Sequence, residues 1–270
     1  MEQLAPFDFI IVATKTIPEI SPSVGELIEP AVTSGLTAIV LSQNGLNIEK
    51  PIIERFPTNP VISNISLISV AEFSHGKILQ DDKDVQKIGA FASPAVSRDV
   101  AENAARRYMA LYNPRGVLDI TYEEDVQLTR WRKLVYNSSF NTVAAVLGMD
   151  TARMRMSRHV IDDLVKPIML EIIAAARAAG HELPEDLPAS VILIDPTDVV
   201  IKPSMLQDIE KGNLMEIETI VREPLQEGES RGVPMPTLRT VYGILRGLQL
   251  KTMQAKGLWE PSFSDDNPYR

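Results

Sequence analysis

Residues 131–141 read Trp131-Arg-Lys-Leu-Val-Tyr-Asn-Ser-Ser-Phe-Asn141 (WRKLVYNSSFN). Lys133, Asn137 and Asn141 stand at i, i+4 and i+8. On an α-helix of about 3.6 residues per turn that spacing places all three on one face. Trp131, Leu134, Val135, Tyr136, Phe140 and Val143 surround them with apolar or bulky side chains. Asparagine is a poor helix former because its amide competes for the backbone, and solvated helix faces favour Glu, Lys, Gln and Arg. The continuation TVAAVLG, 142–148, is apolar nearly all round, as a buried helix is. Two readings stay open from the pattern: a solvated stripe, or a polar ligand held by an ammonium and two amides.

On the N-terminal side of this stretch the chain reads as α/β. Asp8 to Lys15 and Leu36 to Leu41 are short apolar runs, the second closed by Ser42-Gln-Asn-Gly45. Continuous runs of this kind suit parallel strands covered on both faces. Pro18 to Ser34 has room for the short helix of a βαβ unit. Pro60 to Val70, Gly76 to Leu79, Lys87 to Phe91 and Gly116 to Thr121 read as further strands, and Ser97 to Leu111 as a helix with Ser97 its N-cap. On the C-terminal side helical pattern dominates: 123–147, then 157–179 stopped by Gly180 and divided at Pro167, then 204–211, 215–231 and 237–256. Pro184, Pro188 and Pro196 read as a broken loop region, and Trp259 to Arg270 as a loose tail. The expected architecture is α/β followed by all-α, with a partial Rossmann-like parallel sheet over 1–120, a helical domain over 121–258 and a tail over 259–270.

The chain has 270 residues, 44% of them hydrophobic and 23% charged, and a net charge of −9, which suits a soluble globular protein and disfavours a free-standing nucleic-acid binder. It has no run of 18 apolar residues and no signal-peptide pattern, so neither a membrane nor a secreted location is expected and a cytoplasmic one is. The absence of cysteine excludes disulfides and thiolate chemistry. His75, His159 and His181 are far apart, so neither a metal site nor a Ser-His-Asp triad is expected.

Other residues suit ligand chemistry, each beside a plainer explanation. Lys15 and Asn44 end the first two apolar runs, and ligands of open α/β sheets bind beyond the carboxyl ends of strands. Equally, Asn44-Gly45 is a common turn dipeptide and Lys15 an ordinary surface lysine. Ser204 with Gln207 fits a capping box, although a serine at a helix start also lies near N–H groups that attract carboxylates. Glu216, near another helix start, is a favourable partner of the helix dipole.

In their order and spacing these pieces resemble the ketopantoate reductase (2-dehydropantoate 2-reductase) family. The resemblance rests on Lys15 at a strand end, the QNG turn at Asn44, WRKLxxNxxxN, SMLQDxxxGxxxEI from Ser204, and Glu216 twelve residues beyond Ser204. It implies a Rossmann domain followed by a helical domain of the 6-phosphogluconate dehydrogenase C-terminal type, and NADPH-dependent reduction of a 2-oxo acid in pantothenate biosynthesis. Lys133 would be the general acid that protonates the developing alkoxide. Asn137, Asn141 and Ser204 would bind substrate. Lys15, Asn44 and Glu216 would contact NADP, and Asp208 would be structural. No metal is implied, and the partners would be a small 2-oxo acid and a second copy of the chain in a homodimer.

Two departures from the family pattern stand out. The chain has no G-x-G-x-x-G turn and begins at what resembles the fourth strand, so the expected missing part is about two βαβ steps, roughly 60 residues. Further substrate-binding asparagines of the family correspond to Thr151 and Ile201. These departures keep two alternatives in view: a non-catalytic binding or dimerisation module, and a reductase of a different carbonyl compound.

Overall fold

The computed structural model describes residues 5–80 and 82–270. It divides into two compact units whose boundary in sequence falls between Lys133 and Leu134. The first unit contains β1 (Phe9–Val12), α1 (Val24–Ile28), β2 (Ala38–Leu41), α2 (Lys50–Arg55), β3 (Val61–Ser66), β4 (Val70–Ser74), β5 (Lys77–Gln80), β6 (Val85–Phe91), α3 (Arg98–Tyr112), β7 (Asp119–Tyr122) and α4 (Val126–Tyr136) as far as Lys133. Five strands form one sheet in the order β1-β2-β3-β6-β7. β1, β2 and β3 are parallel, so the apolar runs before Lys15 and Asn44 do form neighbouring parallel strands.

The sheet is parallel-dominated, as expected, with one departure: β6 runs antiparallel to β3, and β7 restores a parallel pair. The chain returns from β3 through the β4–β5 hairpin rather than a crossover helix, and only antiparallel neighbours can be joined that way. The single strand expected over Pro60 to Val70 also ends at Ser66, since Leu67 donates to Val85 O as the last pairing before the chain leaves for the hairpin.

Alternation along the central strands builds a core on each face of the sheet. Ile39 and Leu41 of β2 join Ile28 of α1 and Ile52 and Phe56 around α2. Ala38 and Val40 join Ala104, Ala105 and Tyr108 of α3 on the opposite face. Gly89 of β6 lies where the chain enters α4: a Cβ there would be 2.1 Å from Glu123 O and 2.5 Å from Val126 Cγ1. Only a residue without a side chain lets this strand and the start of α4 approach so closely.

The second unit is helical. It comprises the end of α4, a π-turn at Asn137–Asn141, α5 (Thr142–Leu147), α6 (Thr151–Met156), α7 (Arg158–Val160), a π-turn at Ile161–Val165, α8 (Lys166–Ala178), α9 (Leu187–Ile192), α10 (Ser204–Glu210), a π-turn at Glu218–Arg222, α11 (Glu223–Ser230) and α12 (Pro236–Ala255). α8 buries Ile168, Met169, Ile172, Ala175 and Ala176 and packs against α11 and α12. The region of Pro184, Pro188 and Pro196 is not all loop. Pro188 sits in the first turn of α9, where its missing N–H costs nothing.

Three helical runs contain a π-turn, a rare feature often found at functional positions. Two have a proline behind them, because a proline inside a helix cannot donate to residue i−4 and its ring crowds that carbonyl. Pro167 follows Ile161–Val165, and Pro224 follows Glu218–Arg222. Pro224 leaves the Ile220 carbonyl without its helical donor, and the Ser138 hydroxyl donates to it at 2.7 Å. The third π-turn, Asn137–Asn141, has no proline after it. Two hydroxyls bond back to the helix here: Ser139 Oγ, within the turn, donates to Val135 O at 2.5 Å, and Thr142 Oγ1, just after it, to Ser138 O at 2.7 Å.

Candidate active site

In the first unit, the carboxyl ends of the parallel strands carry a bonded group of polar residues. Gln43, just after β2, donates through Nε2 to Thr14 O at 2.6 Å, which ties the segment that carries Lys15 to the turn that carries Asn44. Gly45 makes that turn with φ 107°, a backbone that favours glycine. Asn47 follows at φ 59°, in the left-handed region that asparagine tolerates better than most residues. Lys133 Nζ donates to Asn44 Oδ1 at 2.7 Å and to Ser66 O, at the end of β3, at 2.6 Å. The expected acid and one expected cofactor contact are therefore direct partners. Lys15 is exposed beyond β1.

Arg130, one helical turn before Lys133, holds this turn from beneath. It is 3% exposed and pairs at 2.6 Å with Glu49, which is fully buried. Arg130 Nη1 also donates to Gln43 O and to Gly45 O, each at 3.1 Å, so it grips both neighbours of Asn44. Ser63 of β3 donates to the same Glu49 oxygen. Sequence reasoning missed Arg130 and Glu49. The available signal was a charged residue at i−3 from Lys133, within the turn that also holds Trp131.

The second unit holds the remaining expected residues. Asn141 is fully buried, and both ends of its amide are used. Nδ2 donates to Ser204 Oγ at 3.1 Å, and Oδ1 accepts the Met205 N–H at 2.7 Å. This overturns the expected capping box. Pro203 is the N-cap of α10 and supplies no side-chain bond, while Gln207 donates back to Lys202 O. Asn141 supplies the missing acceptor from another helical run. Ser204 is the exposed first residue of α10, and accepting from Asn141 leaves its own proton to donate.

Asn137 opens the π-turn and is 9% exposed, and its side chain makes no hydrogen bond to another described residue. The π-turn also means that Asn137 and Asn141 do not keep the α-helical stagger assumed from the sequence. Glu216 is buried between Met215 and Ile217 at the entry to the helical run of the Glu218–Arg222 π-turn, which Ser138 ties to the Asn137–Asn141 turn. Asp208 is buried in α10. Thr151 and Ile201, where the family pattern led to further asparagines, are backbone partners, Thr151 N donating to Ile201 O at 3.1 Å. Thr151 Oγ1 is buried with no protein partner among the described residues.

Tyr136 donates to Asp195 Oδ2 at 2.8 Å, and Arg155 donates to the Asp195 carbonyl at 2.5 Å. Burial, reinforced by the Asp195 carboxylate, pushes the Tyr136 phenol far above its ordinary value. This tyrosine therefore stays protonated near neutral pH and braces Asp195. Among the described residues no cluster of His, Asp and Glu could hold a metal ion, and no helix is long and apolar enough to cross a membrane.

Residues 1–93 match the model for "Ketopantoate reductase PanE/ApbA", and residues 125–249 match that for "Ketopantoate reductase PanE/ApbA C terminal", together more than half of the chain. An uncharacterised protein of Saccharomyces cerevisiae is 32% identical over 93% of this chain and 75% of its own length. The 2-dehydropantoate 2-reductase of a Nostoc strain is 28% identical over 89% and 74%. The crystal structure of 2-dehydropantoate 2-reductase from Methylococcus capsulatus superposes with a TM-score of 0.79 at 30% identity, covering 93% of this chain and 77% of that one.

Proposed function

We propose, since this chain belongs to the ketopantoate reductase family, that it takes part in reduction of a 2-oxo acid, 2-dehydropantoate or a close relative, to the 2-hydroxy acid with NADPH. The observation that carries the reading is the Lys133 ammonium at the carboxyl ends of β2 and β3, held by Asn44 and Ser66 with its donors aimed. The donor set beyond β1 and β2, an ammonium at Lys15 and a carboxamide at Asn44, suits the hydroxyls and amide of a nicotinamide riboside. Neutral and cationic donors of this kind fit the nicotinamide end of the nucleotide. Glu216, buried beside Met215 and Ile217, is a further proposed contact of the cofactor.

A bound reduced nicotinamide would supply the hydride. Lys133 gives a proton to the carbonyl oxygen as that oxygen gains negative charge, and its ammonium stabilises the charge before transfer is complete. The Ser204 O–H donates to the substrate carboxylate, aimed by Asn141. Asn137 contributes a free carboxamide for a hydroxyl or keto group.

The test is NADPH consumption by the 270-residue chain with a panel of 2-oxo acids, ketopantoate included, and NADPH binding by calorimetry. Turnover is expected, with Lys133→Ala losing roughly 10²–10⁴-fold in kcat. Failure to bind NADPH, or normal turnover in Lys133→Ala, sinks the proposal.

A further inference from the structure

We infer that Arg130 and Glu49 are positioning residues whose buried ion pair sets the Gln43–Gly45 turn so that Asn44 Oδ1 meets the Lys133 ammonium. The connections form a closed loop of contacts. Arg130 Nε binds Glu49 at 2.6 Å, Arg130 Nη1 takes the carbonyls on either side of Asn44, and Asn44 accepts from Lys133 on the same helix as Arg130. One helix thus holds the turn with one cation and meets it with the next.

A purely stabilising role explains the pair poorly. Removing two charges from water is expensive, and a buried pair recovers the cost only when its hydrogen bonds are complete. This one is incomplete: Glu49 Oε2 and Arg130 Nη2 are buried without a protein hydrogen-bond partner among the described residues. A pair of apolar side chains would fill the same space at least as stably. What a guanidinium adds is a planar, rigid fork that fixes two carbonyls at once. Those two carbonyls flank Asn44, whose side chain accepts from Lys133. The contact with Lys133 stands on the geometry alone; its catalytic consequence rests on the reductase reading.

The test acylates the native 270-residue chain with a small succinimidyl ester and measures each lysine by peptide mass spectrometry, with exposed Lys77 as the internal reference. In the paired replacement Arg130→Met with Glu49→Met, Lys133 is expected to react roughly tenfold faster relative to Lys77, the scale of one lost hydrogen bond. Asn44→Ala should give the same increase. If the paired variant folds and the Lys133/Lys77 ratio stays at the wild-type value, even with a changed unfolding midpoint, the inference is overturned. Should the paired variant not fold, hydrogen exchange on the unmodified chain decides. Residues 43–47 should exchange as slowly as β2, and exchange at the rate of a free loop overturns the inference. With a 2-oxo acid and NADPH, the paired variant should lose roughly a hundredfold in kcat with little change in KM. If the wild-type chain reduces no 2-oxo acid, the reductase reading fails, while the acylation ratio still decides the role of the pair.

Discussion

Asn141 and Ser204 share one hydrogen bond, Nδ2 to Oγ at 3.1 Å, while the oxygen of the same amide takes the buried Met205 N–H at 2.7 Å. One side chain therefore caps a helix and orients a hydroxyl. Asn141→Leu should leave the Met205 N–H unpaired and lower the unfolding free energy by about 1–3 kcal/mol, measured by urea denaturation. Asn141→Asp keeps the acceptor at a helix N-terminus, where negative charge is favoured, and should recover most of that loss. It cannot donate to Ser204 and brings a carboxylate beside the proposed carboxylate site, so the 2-oxo acid KM should rise. Equal stability of the Leu and Asp variants would refute the capping role.

Ser138 and Pro224 are expected to be coupled. Ser138 donates to Ile220 O, the carbonyl that Pro224 cannot reach with an N–H. Ser138→Ala should cost about 1–3 kcal/mol by leaving a buried acceptor unsatisfied. In a Pro224→Ala background residue 224 regains an N–H, so the same serine substitution should cost less. A double-mutant cycle read by chemical denaturation measures the difference, with about 1 kcal/mol of coupling expected. Strict additivity would disprove the link.

Much of this fold was legible because hydrophobic periodicity is local. The runs ending at Lys15 and Asn44 became neighbouring parallel strands, and the stretch from Trp131 to Leu147 became one helical run. Other features depend on partners distant in sequence. Ser204 and Gln207 matched a capping box, yet the actual cap is Asn141, 63 residues upstream of Ser204. The antiparallel course of β6 depended on the β4–β5 excursion, of which residue patterns gave only Gly76 to Leu79 as a strand, within a sheet expected to be parallel. The π-turn at Asn137–Asn141 was hidden because its hydroxyl residues look like ordinary helix interior, where they bond back to carbonyls. Arg130 and Glu49 were missed for the same reason. A buried ion pair 81 residues apart leaves no periodic trace.

Tyr112 should make stability fall at alkaline pH. Its hydroxyl donates to Asp84 Oδ2 at 2.8 Å, and burial followed by that carboxylate pushes the phenol up to about 12. The folded protein therefore holds the proton more tightly than the unfolded chain, whose phenol titrates near 10. The contribution is full below about pH 10 and is lost as pH rises through about 12. Tyr112→Phe should flatten this part of the decline, measured as urea midpoints across the window. An unchanged slope in the variant would show that the proton on Tyr112 does not distinguish the folded from the unfolded state.

Gly89 links the sheet to the helix that carries Arg130 and Lys133. A methyl group there would stand 2.1 Å from Glu123 O and 2.5 Å from Val126 Cγ1, so β6 and the first turn of α4 would have to separate. Neither neighbour is the end of a flexible side chain, and overpacking of this kind costs about 1–3 kcal/mol. Gly89→Ala should lower the unfolding midpoint accordingly. It should also loosen the Lys133–Asn44 contact, because both ends of that contact depend on where α4 begins relative to the sheet. The acylation ratio of Lys133 to Lys77 would then rise alongside the fall in stability. A destabilised variant with an unchanged ratio would mean that the Arg130 grip on the Gln43–Gly45 turn holds the contact even when the start of α4 moves.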